Sequence, residues 1–274
     1  MSSKPYLAPV LLGFLLCTAA PIIAVFGLAG VDWNLIGPAK WVGFDNFAAA
    51  LGSTDFGSSL AVTLEIALMT TVLQVLASTL LGYFLAGWNR TIRMLSAIYL
   101  LPWLTAPLAI GVIWKWLLAP TGGLLSQLLG FRLDVLTNPI WAPFAIAAVS
   151  AWAGTGFSSL IFSSALRSVR ANTVDAAILD GASAIQVLWH VQLPQMRRIL
   201  FFIILSITLQ SMTIYDLAFV LGTDTASKHI VDSALKTFQI GSASAMSILF
   251  TITELVIIAA EYLVFRLLTR RFDD

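Results

Sequence analysis

The run Arg197-Arg198-Ile199-Leu200-Phe201-Phe202-Ile203-Ile204-Leu205-Ser206-Ile207 decides in which solvent this chain folds. From Ile199 to Ile207 it is apolar except for one serine, with no alternation of polar and apolar positions. A strand of a membrane barrel alternates with a period of two, so this run refuses that reading. An open sheet crossing lipid leaves backbone groups unpaired, and the helix is the structure that satisfies them within one segment.

Outward from this run the same character recurs. A hydrocarbon layer of roughly 30 Å needs about 20 helical residues at about 1.5 Å each. Six stretches qualify, at about 6–29, 58–87, 94–118, 139–165, 199–221 and 244–268. Only 11% of the 274 residues are charged and 59% are hydrophobic, whereas a soluble domain carries about a quarter charged residues. The expected fold is therefore an all-α integral membrane protein with six transmembrane helices, in one transmembrane domain spanning 1–274. A net charge of +1 gives no basic field for nucleic acid. Cys17 is the single cysteine, and His190 and His229 are far apart, so neither a disulfide framework nor a metal cluster is expected.

Charge placement predicts orientation. With the N-terminus inside, the inner side holds Lys4, Arg90, Arg93, Arg167, Arg170, Arg197, Arg198, Arg266, Arg270 and Arg271; the outer side holds Lys40, Lys115, Arg132, Lys228 and Lys236. Ten against five predicts both termini on the cytoplasmic side. Lys4 and the run from Leu7 to Leu16 resemble a signal peptide, but the apolar stretch continues to Ala29, and Phe14-Leu15-Leu16 before Cys17 is a poor lipoprotein cleavage site. A retained first span is expected. Trp33, Trp41, Trp88, Trp114, Trp116 and Trp141 fall near predicted span ends, as an interfacial belt requires. Gly82, Ala86, Gly154, Gly156 and Ser158 are small enough for close helix packing.

The polar segment at about 168–198 carries the most local information. Asn172 and Asp175 predict a capped first turn, and Ala176-Ala177 a thin helix. Gly181 offers a left-handed residue to end it. Ser183 and Gln186 predict a second capping box, and Pro194 a stop or kink. Small alanines on an exposed short helix suit close docking into a partner's groove.

Asp175-Ala176-Ala177, Asp180-Gly181-Ala182 and Leu193-Pro194 resemble the EAA loop of binding-protein-dependent ABC importer permeases, with the expected ten residues between Ala182 and Leu193. Asp175 stands where the family usually has glutamate, and Val169-Arg170 where it often has Ile-Pro. Trp41-Val42-Gly43-Phe44-Asp45-Asn46-Phe47 is similar to an element after the first span of sugar-type permeases. Leu101-Pro102-Trp103 with Pro107 resembles their proline-broken third span. Ala151-Trp152 to Leu166, Tyr215-Asp216 and Gly241-Ser242-Ala243-Ser244-Ala245 extend the resemblance from about Pro9 to Arg271; Gly222-Thr223-Asp224-Thr225 departs from the family's Gly-Gly-Pro loop.

The resemblance implies the type I ABC importer permease fold in a bacterial inner membrane, importing a carbohydrate or related polyol-phosphate solute. It implies a second homologous permease as heterodimer partner, two copies of an ABC ATPase subunit docking on the loop, and an extracytoplasmic solute-binding protein. ATP and magnesium would bind the ATPase; no G-x-x-x-x-G-K-[ST] phosphate loop occurs here, and neither a cofactor nor a catalytic residue is expected. By resemblance, the substrate pathway takes Trp103, Pro107, Gly154, Phe157, Gln210 and Ser211. The few basic residues in the spans favour a neutral sugar. Glu65, Glu254 and Glu261 lie within spans and require partners or water. A coupled secondary transporter using Glu65 or Glu254 is the alternative. A structural pairing or a near-interface position is expected for these carboxylates, especially for Glu261, close to Arg266, and Asp216 is expected to cap or pair.

Overall fold

A computed structural model describes residues 4–86 and 90–270. Trp88 and Arg271 lie outside the described residues, as do the side chains of Lys4, Arg90, Arg93 and Arg270. The helices are α1 (Lys4–Phe14), α2 (Ala20–Ala29), α3 (Asp45–Gly52), α4 (Thr54–Leu85), α5 (Arg90–Leu104), α6 (Pro107–Leu117), α7 (Leu124–Leu129) and α8 (Trp141–Ser168). There follow α9 (Ala171–Leu179), α10 (Ala184–Val187), α11 (Leu193–Gln195), α12 (Arg197–Met212), α13 (Asp216–Leu221), α14 (Ala226–Leu235) and α15 (Ile240–Arg270). A two-residue antiparallel hairpin pairs β1 (Val31–Asp32) with β2 (Lys40–Trp41).

Among the described residues, four helices are long and apolar enough to cross a membrane: Pro9–Ala29, Thr54–Leu85, Trp141–Ser168 and Ile240–Thr269. Two further helix pairs qualify only as bent pairs, and the second bend lies at Met196, ahead of the expected span at 199–221. Ala97–Leu104 and Pro107–Leu117 meet at 98°, and Ala184–Gln195 and Arg197–Met212 at 82°. Counting each bent pair as one span gives up to six.

The first break has a local cause. The ring of Pro107 clashes with a helical conformation at the preceding residue. Ala106 accordingly adopts an extended ψ of 130°, and Pro107 opens α6, where a missing N–H costs nothing. Pro102 stays inside α5, and at the end of that helix the Thr105 N–H bonds the Pro102 carbonyl at 3.2 Å while Thr105 Oγ1 bonds the Leu101 carbonyl at 2.8 Å. The expected straight span at 199–221 is also interrupted: α12 ends at Met212 and α13 begins at Asp216. Sixteen residues reach only about 24 Å, short of a hydrocarbon layer.

The chain divides into two compact units, one from residues 1–61 and 225–257, the other from 62–224 and 258–274. In the first, Asn46 Nδ2 donates to the carbonyls of Ala29 and Val31, at 2.9 and 3.1 Å, where α2 ends. Gly43 turns the chain into α3 with φ +63°. A side chain at Gly241 would collide with the Val31 carbonyl, which accounts for the small residues opening α15. Ala29, Ala245 and Ile248 form the core there.

The second unit contains two apolar clusters. Ile66, Ile110, Ile146, Ala147, Val149, Leu217 and Leu221 join α4, α6, α8 and α13. Phe162, Ala165, Leu166, Met196, Ile203 and Ile207 join α8 to α12. The expected small-residue contacts occur here. A Cβ on Gly82 would stand 2.8 Å from the Ser159 carbonyl, and one on Gly156 would overlap the Tyr99 carbonyl. Trp114 turns its ring onto Trp152, centroids 5.5 Å apart.

Candidate functional site

Two regions of the second unit gather the residues singled out in the sequence. The first is the bent segment 171–195. α9 starts at Ala171 with Arg170 as its N-cap, and no side chain bonds its first turn. Asn172 is therefore inside the helix and does not cap it, because the extended residues are Val169 and Arg170, with ψ of 137° and 119°. Asp180 ends α9, and Gly181 follows in the left-handed region at φ +85°. The Ala182 N–H then reaches back to the Ala177 carbonyl at 3.0 Å and the Gly181 N–H to Ile178, closing the helix end. Ser183 and Gln186 make the reciprocal capping box that opens α10.

Pro194 does not stop this second helix. A widened turn over Leu188–Gln192 absorbs the missing N–H and the ring, and the chain turns at Met196, φ −98° and ψ 13°. One side of the segment is anchored: Val187 and Met196 are buried, and Leu188 and Leu193 pack on the cluster around Phe162. The other side is bare. Leu179 is 87% exposed, Ile185 69% and Trp189 62%, with Asp175, Ala176 and Asp180 exposed beside them.

The second region is a cavity of about 290 Å³, near the lower end of the range for small-molecule sites, about 300 Å³. Trp103, Pro107, Gly154, Gln210 and Ser211 all line it; Phe157 stands behind Trp103, stacked at 4.3 Å and 7°. Six helices contribute, α4, α5, α6, α8, α12 and α13, and the backbone breaks help to bring them together. The turn at Ala106 presents Trp103 and Pro107 together, and the gap after Met212 presents Thr213, Tyr215 and Asp216. Gly111 lets α6 close on Val220 of α13, where a Cβ would sit 3.0 Å away.

α4 supplies two lining residues that sequence reasoning missed, Thr70 and Gln74. Gln74 lies over Gly154, where any Cβ would collide with its amide, and its Nε2 donates to Ser158 Oγ at 2.9 Å. Thr70 Oγ1 and Ser150 Oγ are buried without a hydrogen-bond partner. The signal was present: Ser59, Thr63, Thr70, Gln74 and Ser78 recur at helical spacing along one face of an apolar helix, and all are buried.

The intramembrane carboxylates differ in their surroundings. Glu65 is exposed, and Glu254 Oε1 has no hydrogen-bond partner. Glu261 accepts from Thr208 Oγ1 at 2.7 Å, and Thr208 also meets Thr71 at 3.2 Å. It does not pair with Arg266, because five residues along a helix place the two side chains on different faces. Asp216 opens α13 but makes no capping bond, and no cation pairs with it among the described residues.

Among the described residues the chain is helical, with candidate spans, bent helix pairs and an exposed bent segment before α12. The chain belongs to the family of binding-protein-dependent transport system inner membrane components, whose model matches residues 78–274. It is 25% identical over 263 residues to the "Probable ABC transporter permease protein YesP" of Bacillus subtilis (strain 168), covering 90% of this chain and 84% of that one. It is 28% identical over 169 residues to the "sn-glycerol-3-phosphate transport system permease protein UgpA" of Escherichia coli O157:H7, covering 61% and 57%. In fold it resembles a chain of the crystal structure of "a bacterial ABC transporter involved in the import of the acidic polysaccharide alginate", with a TM-score of 0.82, 21% identity, and 97% and 95% of the two chains covered.

Proposed function

We propose that this chain is the transmembrane permease subunit of an ATP-driven importer for a carbohydrate or related polyol-phosphate solute. It forms half of the translocation pathway and couples to a separate ATPase through residues 168–198. The solute class follows from the names of its relatives, which include a glycerol-3-phosphate permease and a polysaccharide importer. The carrying observation is the bare apolar crown of Leu179, Ile185 and Trp189 on a segment whose backbone is internally closed. Large exposed apolar side chains on a polar segment outside the spans suit a surface that a partner protein or a membrane covers, and the closed, charged helix ends beside them favour the protein.

In this reading both termini and the bent segment face the cytoplasm of a bacterial cell, under the inner membrane. The ATPase grips Asp175-Ala176-Ala177 through Ala182. Closure of the ATPase pair on ATP moves the segment as a lever. Leu188, Leu193 and Met196 transmit that movement to α8 and α12, because they share one apolar cluster with Phe162 and Ile203. The cavity beside those helices is the substrate pathway, completed by a second, homologous permease and fed by an extracytoplasmic solute-binding protein. Trp103, backed by Phe157, offers an aromatic face to a sugar ring, while Gln210 and Ser211 offer hydrogen bonds.

Solute uptake into cells depleted of ATP, with the proton gradient left intact, tests the energy source. Uptake stops if an ATPase drives it. Continued uptake that collapses only with the proton gradient contradicts the proposal.

A further inference from the structure

The cavity has a charge character that the carbohydrate-pathway reading, on which this inference rests, does not itself require. Among the described residues, no lysine, arginine or histidine lines it, and Asp216 is its one charged group. The carboxylate makes no capping bond at the start of α13 and no ion pair. Around it stand groups suited to a polyhydroxylated ring. Tyr215 stacks on Phe219 at 5.7 Å, and Trp103 on Phe157 at 4.3 Å, so two braced aromatic rings reach the cavity. Thr70 Oγ1 and Ser150 Oγ are buried and unpartnered. The Gln74 amide spends an N–H on Ser158, which fixes its orientation. A buried hydroxyl without a partner is costly unless water or a ligand bonds it.

We propose that Asp216 is a charge filter that narrows the proposed solute class and sets this chain apart from the relatives named for anionic solutes: this half of the pathway accepts neutral or amine-bearing saccharides and rejects phosphorylated or uronate ones. An unneutralised carboxylate in a partly desolvated cavity accepts hydrogen bonds from sugar hydroxyls or an ammonium, and repels an anion placed several ångströms away. A unit charge at such a separation, at an effective dielectric between protein and water, changes affinity by about tenfold. The aromatic faces and the hydroxyls bind the ring irrespective of charge, so Asp216 sets the ranking and not the affinity for saccharide as such.

The test uses the complete transporter in lipid nanodiscs and three radiolabelled trisaccharides: maltotriose (neutral), chitosan trisaccharide (amine-bearing) and trigalacturonate (anionic). Equilibrium binding is measured for the wild type, Asp216→Asn, Asp216→Glu and Trp103→Ala. The wild type is expected to bind trigalacturonate about tenfold more weakly than maltotriose, and the amine-bearing sugar at least as well. Asp216→Asn brings all three within about threefold of one another, Asp216→Glu preserves the ranking, and Trp103→Ala weakens all three together. If Asp216 serves only the dipole of α13, Asp216→Asn lowers thermal stability and leaves the ranking intact; that result overturns the filter and spares the pathway. Tight binding of trigalacturonate by the wild type also overturns the filter. Failure of every trisaccharide to bind, or indifference to Trp103→Ala, overturns the pathway reading as well.

Discussion

The bent segment and the cavity invert each other's polarity. Residues 171–195 satisfy their own backbone and turn apolar side chains outward, Leu179, Ile185 and Trp189. The cavity turns polar groups inward, Thr70, Gln74, Ser150 and Asp216, on helices whose outer surfaces are apolar. Each is the opposite of what its surroundings favour, and on the reading proposed above each is relieved by an occupant of matching chemistry: a protein groove for one, a polyhydroxylated solute for the other. The segment keeps its shape through contacts within a few residues. The cavity keeps its shape only while α4, α5, α6, α8, α12 and α13 stay packed. The first is a local device and the second a collective one.

The comparison predicts different vulnerabilities. The largest effect is expected at Gly156, where α8 rests on the Tyr99 carbonyl. Gly156→Val forces backbone apart and costs about 3 kcal/mol or more. The purified membrane protein should lose thermal stability and cavity ligand binding together; a stable, saccharide-binding variant contradicts the collective origin of the cavity.

Gly181→Val is expected to act locally. A β-branched residue at φ +85° costs about 1–3 kcal/mol, confined to the end of α9. Membrane insertion and saccharide binding should persist while ATPase co-purification and coupled uptake fall by at least tenfold, which is the effect of about 1.4 kcal/mol on an association constant. Equal losses of binding and coupling erase the distinction between the two regions.

The smallest effect lies outside both. In α14, Lys228 and Lys236 contact the Asp232 carboxylate at 3.2 and 2.8 Å. Against the cost of partial burial, these two ammonium groups hold its pKa below the ordinary 3.8. The stabilisation is therefore complete above pH 3.8 and is lost as pH falls through the lowered folded value. Asp232→Asn should cost about 0.2–1 kcal/mol of local stability at neutral pH, read by hydrogen exchange in α14. It should leave ATPase association and saccharide binding unchanged; coupling that responds to this variant breaks the separation of regions.

The same contrast governs what could be read from sequence. The bend at Gly181 and the Ser183–Gln186 capping box are legible because each needs only residues three or four apart. The cap at Asn172 was misplaced by the extended pair Val169-Arg170, which shifts the helix start to Ala171. Of the stop or kink expected at Pro194, the structure has the kink, as a widened turn over Leu188–Gln192 and an 82° bend at Met196. The cavity residues from α5, α8 and α12 were reached through family resemblance. Thr70, Gln74 and Ser150 were not, although their polarity inside apolar helices marked them. Which face of a span points inward depends on the neighbouring helices, and a single helix's sequence does not carry that information. The right-angle turn at Ala106 shows the same limit: Pro102 and Pro107 both announce trouble, and only the packed structure shows that Pro107 breaks the helix.

The central claim is that the apolar crown of the bent segment seats in a separate ATP-hydrolysing subunit. The direct measurement is a proximity crosslink in native membranes, with Cys17→Ser removing the native thiol and Leu179→Cys providing a single reactive position. The expected product joins this chain to an ATPase subunit, forms in high yield, and changes in yield when ATP is added. Absence of any such product, with Leu179→Cys readily labelled by water-soluble maleimide in the presence and absence of ATP, contradicts the docking.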